Sequence, residues 1–145
     1  MKSALEDLLI QGKKYISDCP EEKLNKKISR NKWSKKEILG HLIDSGINNL
    51  QRFTEIQFQD KPYQVRPYDQ DELVKANDYQ NSDSKQLLDL WLTLNFRIAY
   101  LIGLQTDITL NYELRFEDGQ TLNLASLIQD YLKHTKHHLD QIVNK

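Results

Sequence analysis

An all-α fold built as a four-helix bundle is what this sequence predicts, on three observations. Four long stretches carry apolar residues at helical spacing, only five Gly and three Pro occur in 145 residues, and the single alternating segment is short. The first helix is marked by Leu5, Leu8, Leu9, Tyr15, Ile16 and Cys19, and Pro20 closes it because the residue before a proline avoids the α region. A Lys-rich connection leads to Trp33-Ser34-Lys35-Lys36-Glu37-Ile38, which has the chemistry of a helix start. Ser34 caps a free amide, Glu37 returns the bond, and Trp33 staples onto Ile38. The second long helix is expected to run to about Gln57, burying Leu39, Leu42, Ile43, Leu50 and Phe53. The polar connection from Gln59 to Asp83 is too long to be structureless in a compact domain, so a short helical turn is expected near Asp69 to Ala76. The third long helix starts after Ser82 or Ser84, shows Leu87, Leu88, Trp91, Leu94, Ile98, Leu101 and Ile102 on one broad face, and ends at Gly103. Ile108, Leu110, Tyr112, Leu114 and Phe116 then alternate ahead of the turn pair Asp118-Gly119, which predicts a small β-hairpin. The last helix carries Leu124, Leu127, Ile128, Tyr131, Leu132, Leu139 and Ile142. The long second connection allows a crossover topology.

Composition narrows the function classes. A chain of 145 residues with 39% hydrophobic content fits one compact domain over 1–145. Twenty Lys and Arg against 21 Asp and Glu leave a formal charge of −1, without the basic footprint that nucleic acid requires. The only cysteine, Cys19, can form neither an intrachain disulfide nor a cysteine-based zinc site, and this suits a reducing cytoplasm. Met1 to Ile10 contains Glu6 and Asp7 and reads as neither signal peptide nor membrane span, and no later stretch approaches 18 consecutive apolar residues. No membrane partner is expected, while the small bundle leaves room for a homodimer.

The chemistry lies in four histidines confined to two helices. At about 100° per residue, His138 falls inside the apolar arc of the last helix, His134 lies roughly 20° outside it, and His137 lies far round among Lys133, Lys136 and Asp140. His134 and His138 thus form an i, i+4 pair on one face, close enough for two imidazole nitrogens to share one ion. On the second long helix, His41 heads a stripe with Ser45, Asn48 and Arg52 at the edge of the buried arc. Such a stripe needs polar partners across the interface, and a metal with its waters would supply them. Asp44, Asn48, Asp130 and Gln141 stand within reach of the histidines as candidates for orienting them. The plainer alternative stays open on spacing alone: an i, i+4 pair is often two ordinary surface or core histidines. For His137, Arg52, Trp33 and Trp91 the plain structural role is preferred.

The segment Trp33-Ser34 through Glu37-Ile38-Leu39-Gly40-His41-Leu42-Ile43-Asp44-Ser45, with Asn48 and Arg52-Phe53, resembles the second-helix motif of the DinB/YfiT-like metal-binding proteins. Arg66-Pro67-Tyr68-Asp69 is similar to a connection of the YfiT branch, and Leu124 to Ile142 resembles its last helix. The resemblance implies a DinB-like four-helix bundle holding one divalent ion, zinc or nickel, through His41, His134 and His138. It implies a metal-dependent hydrolase acting on a small-molecule substrate, or a transferase using a low-molecular-weight thiol such as bacillithiol. A metal-binding module without turnover is the further alternative. Gly40, Lys136 and Gln141 stand where the YfiT branch can have additional histidines. Carboxylates that could serve a hydrolase as general base are Asp44, Glu37 and Asp130.

Overall fold

The computed structural model describes residues 1–144. Four long helices form the frame: α1 (Lys2–Asp18), α3 (Lys35–Glu55), α5 (Ser84–Leu104) and α7 (Leu124–Asn144). Between them lie α2 (Glu21–Asn25), β1 (Tyr63–Gln64), α4 (Gln70–Ala76), a 3-10 turn (Tyr79–Asn81), α6 (Asp107–Leu110), β2 (Glu113–Arg115) and β3 (Thr121–Asn123). α3 packs on α5 and α7, and α1 packs on α5 and α7, so the four close into a ring around a core of leucine and isoleucine centred on Trp91. Buried Asn95 ties that core together, donating to the Trp91 carbonyl at 2.9 Å and accepting from the Tyr131 hydroxyl.

The start of α3 is fixed by its sequence. The Ser34 hydroxyl accepts from the Glu37 amide at 3.1 Å and the Glu37 carboxylate accepts from the Ser34 amide at 3.1 Å, the reciprocal arrangement that satisfies two otherwise orphaned donors. Asp69 caps α4 from one side only, accepting from the Glu72 amide at 3.1 Å, and the turn expected near Asp69 to Ala76 is Gln70–Ala76. The hairpin is present as β2 and β3, paired antiparallel with Leu114 opposite Leu122, and Gly119 takes the left-handed φ of 88° that its turn needs.

Several expectations are corrected. Ile108 and Leu110 belong to the single helical turn α6 rather than to a strand, because Thr106 and Thr109 cap each other's amides and start a helix before the alternation can pair. Tyr63–Gln64 adds a third strand, parallel to β2, which the long connection delivers across the bundle. α5 is capped by Asp83 instead of a serine and runs through Gly103 to Leu104. Its length and mean hydropathy of 1.4 are those of a membrane span, yet Leu87, Leu88, Trp91, Ile98 and Ile102 are buried in the bundle. Leu90, Phe96, Tyr100 and Leu104 remain about half exposed on its outer face, an apolar stripe that periodicity alone did not single out.

Candidate metal centre

The site forms where α3 and α7 run side by side in opposite directions. Ser45 approaches His134, and His41, one turn earlier on α3, approaches both His134 and His138, one turn later on α7. The Nε2 atoms of His41 and His134 face each other at 3.0 Å. A ring nitrogen from each of His41, His134 and His138 lies within 4.8 Å of the others, and no other such cluster of His, Cys, Asp and Glu is found among the described residues. His137, predicted to be exposed, is exposed and makes a ring contact with His138 and a 3.2 Å approach to the Gln141 amide.

The remaining ring nitrogens set the direction of the donors. His138 Nδ1 lies 2.8 Å from the Gln141 side-chain oxygen, and an N–H at Nδ1 donating to that oxygen leaves Nε2 of the neutral imidazole with its lone pair. His134 Nδ1 faces the Ser45 hydroxyl at 3.4 Å, while Ser45 itself is held by Asn49, so His134 Nε2 is left to point at His41. His41 is fully buried, with the Trp33 ring against it at 4.9 Å between centroids, and its Nδ1 has no hydrogen-bond partner among the described residues.

This environment keeps His41 and His134 neutral. Burial, followed by the neighbouring His138 and His134, pushes the His41 pKa down to about 3. Burial, followed by His138 and His137, brings His134 down to about 4. Neutral imidazole is the form that ligates metal, so the shifts remove proton competition near neutral pH. For His41 and His134 the spacing also fits. Two nitrogens each about 2.0 to 2.1 Å from a shared tetrahedral ion stand roughly 3.3 Å apart, close to the separation of His41 and His134.

A cavity of about 380 Å³ opens against the site, lined by Trp33, Ile38, Gln70, Asp71, His138 and Gln141 among others. Of the residues proposed to orient the histidines, Gln141 does so. Asp44 does not: its Oδ1 accepts from the Tyr79 hydroxyl at 2.6 Å and from Asn77 at 3.1 Å. Burial raises its pKa, against the pull of those two bonds. Asn48 donates to the backbone carbonyl of Asp44, and Asp130 is exposed. Glu37 is occupied by the helix cap and by Lys27 at 3.0 Å. Ser45 was visible in the stripe below His41, but only antiparallel packing reveals that it serves His134. Nothing in the sequence pattern marked Gln70 or Asp71, because a separate short helix brings them to the cavity.

Fold and site together define a class: a four-helix bundle with a three-histidine cluster, able to hold a metal, between its second and last long helices. The chain belongs to the DinB superfamily, whose model matches residues 13–142. It is 29% identical over 122 residues to BH0277 of Halalkalibacterium halodurans, named a candidate metal-dependent hydrolase, covering 84% of this chain and 70% of that one. The structure superposes on YfiT from Bacillus subtilis, described as a probable metal-dependent hydrolase with an unusual four-helix bundle topology. There the TM-score is 0.88 at 23% identity, over 99% of this chain and 82% of the other. A mycothiol-dependent maleylpyruvate isomerase shares the fold at TM-score 0.71 and 12% identity, over 95% of this chain and 57% of the isomerase.

Proposed function

We propose that this protein is a metal-dependent hydrolase of a small-molecule substrate, with one divalent ion, zinc or nickel, bound by His41, His134 and His138. The convergence of three imidazoles, two of them held neutral by burial, beside an open cavity carries the reading. A divalent ion held by three imidazoles supplies Lewis acidity and activates water near neutral pH. Gln141 holds the Nδ1 proton of His138, Ser45 faces that of His134, and Trp33 shields His41 from solvent. Substrate enters past Gln70 and Asp71, and Asp71 is the carboxylate that lines the approach. The lone Cys19 suits a reducing compartment, and we assign the reaction to the cytoplasm.

One observation favours a second reading. Glu37 and Asp44 are both engaged elsewhere and Asp130 is exposed, so none of the three is poised as a general base. Transfer of a low-molecular-weight thiol such as bacillithiol requires no such base once the thiol is ionised. Metal analysis of untagged protein tests the site: about one ion per chain is expected, and none in His134→Ala. Unchanged stoichiometry in that variant refutes the assignment. On the loaded protein, ester and amide hydrolysis run beside bacillithiol conjugation decides the reaction; conjugation without hydrolysis overturns the hydrolase reading.

A further inference from the structure

The first turn of α3 holds two adjacent lysines that are both almost wholly buried, Lys35 at 6% exposure and Lys36 at 4%. Cations at a helix N-terminus oppose the helix dipole, and burial strips their water, so each needs an anion. Lys36 has one: its ammonium sits 2.6 Å from the Glu21 carboxylate and also donates to the Ser82 carbonyl at 2.9 Å. Lys35 has no carboxylate within ion-pair distance among the described residues. Its ammonium donates at 2.6 Å to the neutral hydroxyl of Tyr15 and lies 5.0 Å from that ring's centroid.

Beside Lys35 the described residues leave a hollow in which an anion can bind. Lys35 lines a cavity of about 390 Å³ together with Tyr15, Lys23, Lys26, Ile28 and Val143. A second hollow of about 490 Å³ shares Tyr15, Lys23 and Val143 with it and adds Lys14, Cys19 and Pro20, with Asp18 as its acid. Four lysines against one aspartate is a local excess of positive charge in a chain whose totals nearly cancel. Apolar surface lies between the lysines: Ile28 is 63% exposed and Val143 46% exposed, surface that a ligand body would cover. The loop between α2 and α3 borders both this hollow and the histidine cavity, with Lys26 and Ile28 here and Asn31 to Trp33 there.

We propose that this double hollow is a second small-molecule site, distinct from the histidine cluster, that binds an amphipathic monocarboxylate with its carboxylate on Lys35 and its apolar body along Val143 and Ile28. The recessed position of Lys35 favours a free molecule over a membrane surface, since a bilayer headgroup would meet the exposed lysines first. Full-length protein is titrated with octanoate, with octanol and with phosphatidylglycerol vesicles, by calorimetry and thermal shift. Saturable octanoate binding that raises the melting temperature is expected, with octanol at least tenfold weaker. Lys35→Met, which keeps the buried stem, is expected to weaken octanoate at least tenfold while retaining metal content. Exposed Lys26→Gln is expected to weaken it about threefold and carries the test if Lys35→Met fails to fold. No saturable octanoate binding, octanol binding as tightly, or less than a twofold loss in the folded variants overturns the proposal. Binding to vesicles alone overturns it in favour of a lipid surface. Because metal content is read separately, failure here leaves the proposed hydrolase untouched.

Discussion

Replacing Gly40 by alanine tests how the helix that carries His41 is positioned. A Cβ built on Gly40 would overlap Cγ, Cδ2 and Cε2 of the Tyr79 ring, well inside the 3.5 to 4.0 Å of ordinary carbon contact. The ring cannot slide away freely, because its hydroxyl is held by Asp44 at 2.6 Å and the residue is 6% exposed. Two responses are available. Shifting the α3 backbone amounts to overpacking, at about 1 to 3 kcal/mol. Swinging the ring out forfeits a hydrogen bond to a carboxylate, at about 1.5 to 3 kcal/mol, and leaves Asp44 short of a donor. Overlap this deep with the ring carbons puts the cost in the upper part of the overpacking range, about 2 to 3 kcal/mol, and the helical gain of alanine over glycine returns about 1 kcal/mol. A net loss of about 1 to 2 kcal/mol is expected in urea unfolding, with a melting temperature lower by roughly 4 °C for a chain of this size. In a Tyr79→Ala background the obstacle is gone, and Gly40→Ala is expected to stabilise by about 0.5 to 1 kcal/mol. That reversal of sign is the decisive observation. Equal destabilisation in both backgrounds, or stabilisation of the parent chain, refutes the reasoning. The same geometry leaves no room for a larger side chain at this position, because Tyr79 fills the space over Gly40.

Gln141→Leu removes the acceptor that fixes the His138 tautomer, and Ser45→Ala removes the hydroxyl facing His134. Each is expected to weaken metal binding by about 10- to 100-fold, read by competition with a chromophoric chelator; an unchanged affinity in both would refute the proposed orienting bonds. In metal-free protein the depressed pKa values of His41 and His134 make stability depend on pH. The unfolded chain takes up these protons near pH 6.5 and the folded chain only near 3 and 4, so stability is full above 6.5 and falls as pH drops toward those values. The slope is about 1.4 kcal/mol per pH unit per histidine, and His41→Gln should flatten it in urea titrations between pH 6.5 and 5; an unchanged slope would show that His41 is not buried neutral.

Much of the bundle was legible because it depends on local chemistry. Ser34 and Glu37 determine where α3 begins, Asp69 starts α4, Asp118-Gly119 turns the hairpin, and the apolar stripes give four long amphipathic helices. The histidine trio was legible for the same reason: i, i+4 spacing puts His134 and His138 on one face, and a polar stripe marks His41. Tertiary structure decided what spacing cannot encode. Antiparallel packing of α3 on α7 turned the Nε2 of His41 to that of His134 and paired Ser45 with His134. Residues distant in sequence redirected others: Tyr79 and Asn77 captured Asp44, Gln70 and Asp71 came to the cavity on α4, and Tyr63–Gln64 joined β2 as a parallel strand. Periodicity assigns a side chain to a face of its own helix. Which partner that face meets, and whether a buried lysine meets a carboxylate as Lys36 does or the phenol of Tyr15 as Lys35 does, depends on contacts made only when the chain is folded.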